Sequence, residues 1–339
     1  MDYKFRDKVY LCDYRLDTVL FDKFGFSVED AAPIRSVYML STDKGMKILK
    51  KIDYSLGELM FIYDALNEIR KQYPYVINFR QSTTGEPFVE HKNDIYIVLD
   101  VIEGRDCLYE NLIDLKNASR ALARLHKAGE GIHTDCCEVK NKLGRLEDCY
   151  KRKIKDMEKY KDIAAMHVNK SPFDRAFLRG VDYYVDNAKD ALKALQESSY
   201  LKLCCKGHTL CHHDLAHRNI LIDNQDNVYF LDFDYSLVDI PCHDIANMIN
   251  KALRHNEWSS EIADTILDSY SQENTLGEEE LNVLAAYLMF PQEFYDIATA
   301  YYMKTRNWEE EEFLDKLMRK LSYKDDREAF LKDMKERLM

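Results

Sequence analysis

Two polar segments thirteen residues apart constrain this chain more than any other feature. The first, Cys211-His212-His213-Asp214-Leu215-Ala216-His217-Arg218-Asn219, runs directly into the apolar triplet Ile220-Leu221-Ile222. The second, Asp232-Phe233-Asp234, ends the apolar run Val228-Tyr229-Phe230-Leu231. Between the two runs lies Asp223-Asn224-Gln225-Asp226-Asn227. Asp and Asn there bond their own backbone and tolerate left-handed conformations, so the stretch reads as a turn between antiparallel strands. Such a hairpin brings Asp232 back beside Asn219. The fold must therefore hold a short β element, with polar groups at its open end, inside a region whose other periodicity is helical.

These groups match the needs of phosphoryl transfer. One carboxylate must orient an acceptor hydroxyl and take its proton, while a carboxylate and an amide oxygen hold Mg2+ against the phosphates. Oxygen donors suit a hard cation with near-octahedral demands. Asp214 fits the first role, and Asn219 with Asp232 fits the second. His212 is expected to brace the loop by hydrogen bonding rather than to carry protons. A turn rich in Asp and Asn is ordinary by itself. The joint pattern, His-x-Asp-x4-Asn with an aspartate at hairpin distance, is not.

The rest of the chain divides near Gly104. Before it, a helical stretch and a turn at Gly25 occupy residues 1–32. Val37 to Leu40 and Met46 to Ile52 then read as strands around the turn Ser41-Thr42-Asp43-Lys44-Gly45. Leu56 to Lys71 reads as a helix with Leu59, Ile62, Tyr63, Leu66 and Ile69 on one face, and Val76 to Phe79 and Ile95 to Ile102 as further strands. After Gly104 helical spacing dominates: Leu115, Ala118, Leu122 and Leu125 up to Gly129, a charged helix over 141–163, and an amphipathic one through Phe177, Val181, Tyr184, Ala188 and Leu195. The expected architecture is α+β, with a β-rich lobe over 1–103 and a helical lobe over 104–339. His126 reads as packing, and the aromatic group Phe294, Tyr295, Tyr301, Tyr302 and Trp308 reads as packing or, alternatively, as the lining of an acceptor pocket.

The net charge of −12 argues against general nucleic-acid binding, which needs a basic surface. No run approaches the roughly 18 apolar residues of a membrane span. Nine cysteines with no apolar leader after Met1-Asp2-Tyr3-Lys4 predict reduced thiols and a cytoplasmic chain. The cluster Cys204, Cys205, Cys211 and His212 lacks zinc-finger spacing and reads as buried thiols.

His212-x-Asp214-x4-Asn219 followed by Asp232-Phe233-Asp234 resembles the aminoglycoside phosphotransferase and choline kinase branch of the protein-kinase-like fold, and within it the bacterial spore-coat CotS-type family. Leu210 to Asn219, Phe230 to Asp244, Phe290 to Tyr295, Met46 to Lys51, Ile97 to Gly104 and Leu122 to His126 carry the resemblance, which spans most of 30–320. It implies a two-lobed kinase-like fold using Mg2+ with ATP or GTP and a small hydroxylated acceptor. It also implies spore-coat deposition and other coat proteins as partners. Lys50 would touch the nucleotide phosphates, with Lys47 and Lys51 as rivals, and a helix glutamate, Glu58 in preference to Glu68, would pair with it. Val98 to Ile102 would form the hinge strand offering backbone groups of Leu99 and Val101 to the nucleobase. Asp234 would take a second metal, a substrate contact or a structural role, and Asp244 would brace the loop. The stretch Ala32 to Tyr38, which would cover the phosphates, has no glycine, so Ser36 would substitute by hydrogen bonding. The same family suggests an alternative, a catalytically silent coat protein that keeps the fold.

Overall fold

The computed structural model describes residues 16–34, 36–132 and 137–338. Its elements begin with α1 (Thr18–Lys23), β1 (Val28–Ile34), β2 (Val37–Thr42), β3 (Gly45–Ile52), α2 (Leu56–Arg70), β4 (Phe79–Arg80), β5 (Val89–His91), β6 (Asp94–Asp100) and β7 (Arg105–Asp106). Next come α3 (Leu112–Ala128), α4 (Leu146–Met166), α5 (Pro172–Glu197) and α6 (Tyr200–Lys206). A β interruption follows, with β8 (Thr209–Cys211), β9 (Ile220–Ile222), β10 (Val228–Phe230) and β11 (Leu237–Asp239). The chain closes with α7 (Cys242–Leu253), α8 (Ser260–Ser271), α9 (Glu278–Met289), α10 (Gln292–Tyr302), α11 (Glu310–Ser322) and α12 (Lys324–Leu338). The fold is mixed, with a β-sheet region and a large helical part.

Two compact units divide these elements. The first takes the described residues up to Cys107 together with 137–140 and 217–234. It holds a sheet of order β1-β2-β3-β6-β4, with β5 also on β6, and a three-stranded sheet of order β10-β9-β7. The predicted hairpin belongs with the β-rich unit. The reason is pairing: Arg105 and Asp106 lie against Ile222 and Leu221, and Val76 bridges to Phe230. Val76 to Phe79, expected as one strand, spends its first residue on that bridge and keeps only Phe79–Arg80 for the larger sheet.

α2 starts at a capping box, in which the Ser55 hydroxyl accepts from the Glu58 amide and Glu58 reaches back to Ser55. It buries Leu59, Ile62, Leu66 and Ile69 of the stripe expected from spacing and leaves Tyr63 half-buried. β1 starts at Val28, inside the stretch expected to hold only a helix and a turn. Its polar, proline-containing sequence gives no period-two signal, and an edge position tolerates Pro33 because one side needs no ladder donor.

The second unit is helical, with the two-stranded ladder of β8 and β11 pairing Cys211 with Leu237 and Thr209 with Asp239. α9 is buried from Val283 through Met289, as a helix apolar on all sides must be. The aromatic group expected to pack does so: Phe294 stacks on Tyr184 at 4.0 Å and Tyr301 on Phe173 at 3.7 Å between centroids. No described helix is long and apolar enough to cross a membrane. Cys12 and Cys136 lie outside the described residues. Cys107, Cys211 and Cys242 are buried free thiols, whereas Cys205 is exposed.

Candidate active site

In the β-rich unit the site is built on the hairpin. Ile220 opposes Phe230 in the β9–β10 ladder, and the Leu231 amide donates to the Asn219 carbonyl at 2.8 Å. Asp232 therefore follows one residue after the position facing Asn219. Its φ of +59° is a left-handed value, uncommon outside glycine, and it turns the chain out of the strand.

β3 delivers the cation. Alternation puts Lys47 and Leu49 on one face and Lys50 on the other. Lys50 Nζ lies 2.6 Å from Asp232 Oδ1 and 2.6 Å from Asp234 Oδ2. Burial works against the ammonium, but the two carboxylates outweigh it and raise the Lys50 pKa. Its rivals are engaged elsewhere, Lys47 with Asp100 at 3.4 Å and Lys51 with Asp94 at 2.7 Å. Asp234 is gripped further: Tyr54 donates to its Oδ1 at 3.1 Å, and Lys140 donates to its backbone carbonyl. Burial first, then the Asp234 charge, pushes the Tyr54 pKa far up, so the phenol stays a donor.

Glu58, expected beside Lys50, instead holds the start of α2: its Oε2 accepts from the Ser55 amide at 3.0 Å and hydroxyl at 2.8 Å. Three residues into a helix, the carboxylate meets unsatisfied N-terminal donors. Leu99 sits between two neighbours, paired with Ile48 on one side and Phe79 on the other, so the ladders occupy its flanks. Val101 follows the last residue of β6. Ser36 is exposed in the β1–β2 turn.

In the helical unit the loop after β8 is fixed by a buried carboxylate. Asp244, in the first turn of α7, accepts from the His212 amide at 2.6 Å and the His213 amide at 2.8 Å. His126 Nε2 lies 3.1 Å from the same carboxylate, and Tyr270 bonds His126 Nδ1 at 2.8 Å. His126, expected as simple packing, is thus buried but also hydrogen-bonded through both ring nitrogens. Burial would raise the Asp244 pKa, but His126 and the neighbouring imidazoles hold it well below the usual carboxylate value. His212 is fully buried and its Nδ1 accepts from the Asp214 amide at 3.2 Å, the bracing geometry expected of it. Asn247 and Tyr109 fasten Leu215 through its amide and carbonyl.

Asp214 itself forms an ion pair with Lys251, a residue the sequence did not single out. Burial lowers the Lys251 pKa while Asp214 works against that effect. Spacing carried no signal for this contact, because Lys251 lies three turns into α7, 37 residues from its partner.

Solved structures similar to this one include phosphotransferases. An aminoglycoside phosphotransferase from Alicyclobacillus acidocaldarius subsp. acidocaldarius superposes with a TM-score of 0.82 at 17% identity, over 95% of this chain and 96% of that one. A spectinomycin phosphotransferase in complex with ADP and spectinomycin gives 0.67 at 13% identity, over 94% and 93%. The chain has their kinase-like fold. The sequence model described as "Spore coat putative kinase YutH" matches residues 17–334, and the chain belongs to that family. Spore coat protein S of Bacillus subtilis (strain 168) is 23% identical over 308 residues, 89% of this chain and 87% of that protein. The spore-coat resemblance carried by the His212 and Asp232 motifs is borne out.

Proposed function

We propose that this protein is a magnesium-dependent phosphotransferase that moves the γ-phosphate of ATP or GTP to a hydroxyl of a small acceptor, in association with the spore coat. The observation that carries the reading is the convergence of Lys50, Asp232 and Asp234 beside Asn219. Two carboxylates close on one largely buried ammonium, Asn219 stands at the neighbouring strand end where its backbone pairs with Leu231, and oxygen donors of these types suit a hard cation. Asn219 and Asp232 would hold Mg2+, which when bound supplies positive charge against the phosphate oxygens.

The chain's own groups account for the rest. Asp214 orients the acceptor hydroxyl and takes its proton as the acceptor oxygen bonds to the γ-phosphorus and the nucleoside diphosphate leaves with the bridging oxygen. His212 and Asp244 keep the Asp214 backbone in place through the bonds at its amide and at the two residues before it. Lys50 exchanges carboxylate for phosphate oxygen when nucleotide enters. Ser36 meets phosphate from the β1–β2 turn, and the nucleobase lies along the Leu99–Val101 stretch, with Val101 supplying backbone groups past the paired part of β6.

The test is transfer of labelled γ-phosphate from ATP or GTP to a panel of sugars, amino alcohols and aminocyclitols. We expect magnesium-dependent labelling of at least one class. In Lys50→Met, loss of one charge-assisted contact is expected to weaken nucleotide binding by about 10–100-fold, corresponding to roughly 1.5–3 kcal/mol. Unchanged affinity in that variant would contradict the role of Lys50. A second reading, a catalytically silent coat protein, is favoured by one observation: the β1–β2 turn lacks glycine, which limits how closely backbone amides approach phosphate. Nucleotide binding with no transfer across the panel would support it.

A further inference from the structure

The helical unit contains a cleft of about 700 Å³. His213, Asp239 and His243 stand together in its wall, and the phosphotransferase reading gives none of their side chains a role. Asp239 ends β11, His243 lies four residues on in the first turn of α7, and His213 follows β8 in a left-handed conformation with φ +64°. One carboxylate oxygen, Asp239 Oδ2, lies 3.4 Å from His213 Nε2 and 3.3 Å from His243 Nδ1. The two rings are 3.8 Å apart between centroids.

Hydrogen bonding does not explain this arrangement. Charge-assisted N–H···O contacts settle near about 2.7–2.9 Å, and both contacts here are about half an ångström longer. His213 Nε2 is buried without a hydrogen-bond partner, although its side chain is only 10% exposed. Leaving such a group unsatisfied is costly. The neighbouring group of His126, Cys211 and Asp244 behaves differently. There His126 bonds Tyr270 and Asp244, Asp244 accepts two amides, and Cys211 donates to the Ile240 carbonyl at 3.3 Å.

The distances do match a coordination polyhedron. Zinc binds imidazole nitrogen and carboxylate oxygen at about 2.0–2.1 Å, and at tetrahedral angles that sets ligand atoms roughly 3.3–3.4 Å apart. All three donor atoms lie within 4.8 Å of one another. Two imidazoles and one carboxylate select a borderline transition metal, unlike the all-oxygen set of Asn219 and Asp232. We propose that His213, Asp239 and His243 form a zinc-type divalent metal site in the wall of the helical unit's cleft, with a fourth position open to water or to an oxygen or nitrogen of a bound ligand. Three protein ligands with an open position is the arrangement of metal sites that take up a ligand rather than merely staple the fold.

Cobalt(II) titration of chelator-stripped full-length protein tests this, because four-coordinate cobalt has a visible d–d spectrum that magnesium sites do not give. One equivalent should develop these bands, zinc should abolish them, and excess magnesium should leave them. His213→Asn, which retains a residue suited to the left-handed backbone, and His243→Gln should each lower cobalt affinity by at least about 100-fold, more than loss of an outer-shell partner. Asp232→Asn should leave the bands intact. Circular dichroism confirms that each variant is folded, and the wild-type titration stands independently of them. Absence of the bands in wild-type protein, their persistence in both histidine variants, or their loss in Asp232→Asn would overturn the proposal.

Discussion

Asp214→Asn is expected to lower kcat by about 10²–10⁴-fold on any acceptor the protein turns over, with nucleotide affinity changed little. That range is what a positioned general base contributes. Asparagine keeps the size of the side chain and a hydrogen-bond acceptor for the hydroxyl, but takes no proton. The surroundings make the substitution informative. The Asp214 backbone is held by His212 Nδ1, and the next residue by Asn247 and Tyr109, so the loop retains its anchors when the carboxylate is lost. Lys251, four-fifths buried along its side chain, loses its ion-pair partner. Without the Asp214 charge its burial acts unopposed, and its pKa falls further. Steady-state kinetics with nucleotide titrations separate the two effects: a fall in kcat with constant nucleotide affinity is predicted, and a loss below about tenfold would remove Asp214 from the proton-transfer role.

Asp244→Ala should cost about 3–5 kcal/mol of stability, since each buried donor left unsatisfied costs about 1–3 kcal/mol. The carboxylate is fully buried and accepts from two consecutive amides and one imidazole. Its removal takes away the shared partner of the His212 and His213 amides and of His126 Nε2 at once. Because the folded pKa is depressed, the contribution of this carboxylate is present above the unfolded value of about 3.9 and is lost as pH falls through the folded value. Denaturant unfolding at neutral pH should therefore show the full difference between wild type and variant, and the gap should narrow in acid below about pH 4. A loss under 1 kcal/mol at pH 7 would mean that the loop is held by other contacts.

How much of this was legible in the sequence depended on the range over which each signal acts. The hairpin was readable because β9 and β10 are apolar triplets around an Asp- and Asn-rich turn, all within fifteen residues. The capping box and apolar stripe of α2 are equally local. β1 escaped because an edge strand needs neither alternation nor continuous donors, so Val28 to Ile34 carries no strand pattern. At the site, residue types told which groups would matter but not whom they would meet. Lys50 could be preferred over Lys47 and Lys51 by resemblance alone, while its pairing with Asp232 and Asp234 spans some 180 residues. Glu58 was assigned to Lys50, yet a local demand, three residues into a helix, claimed it. Lys251, Tyr54 and Lys140 are ordinary residues in sequence, and only the tertiary fold brings them to aspartates. The His213, Asp239 and His243 group is similar, with only Asp239 and His243 related by helical spacing.

The central claim is that Lys50, Asn219 and Asp232 form a working nucleotide site, and a thermal-shift titration with Mg·ATP and Mg·GTP tests it most directly. At 100 times Kd, binding adds about 2.7 kcal/mol to the folded state. The account predicts a magnesium-dependent rise in Tm with at least one nucleotide that is lost in Asp232→Asn. No shift with either nucleotide at millimolar concentration, or a shift that persists unchanged in Asp232→Asn, would contradict it.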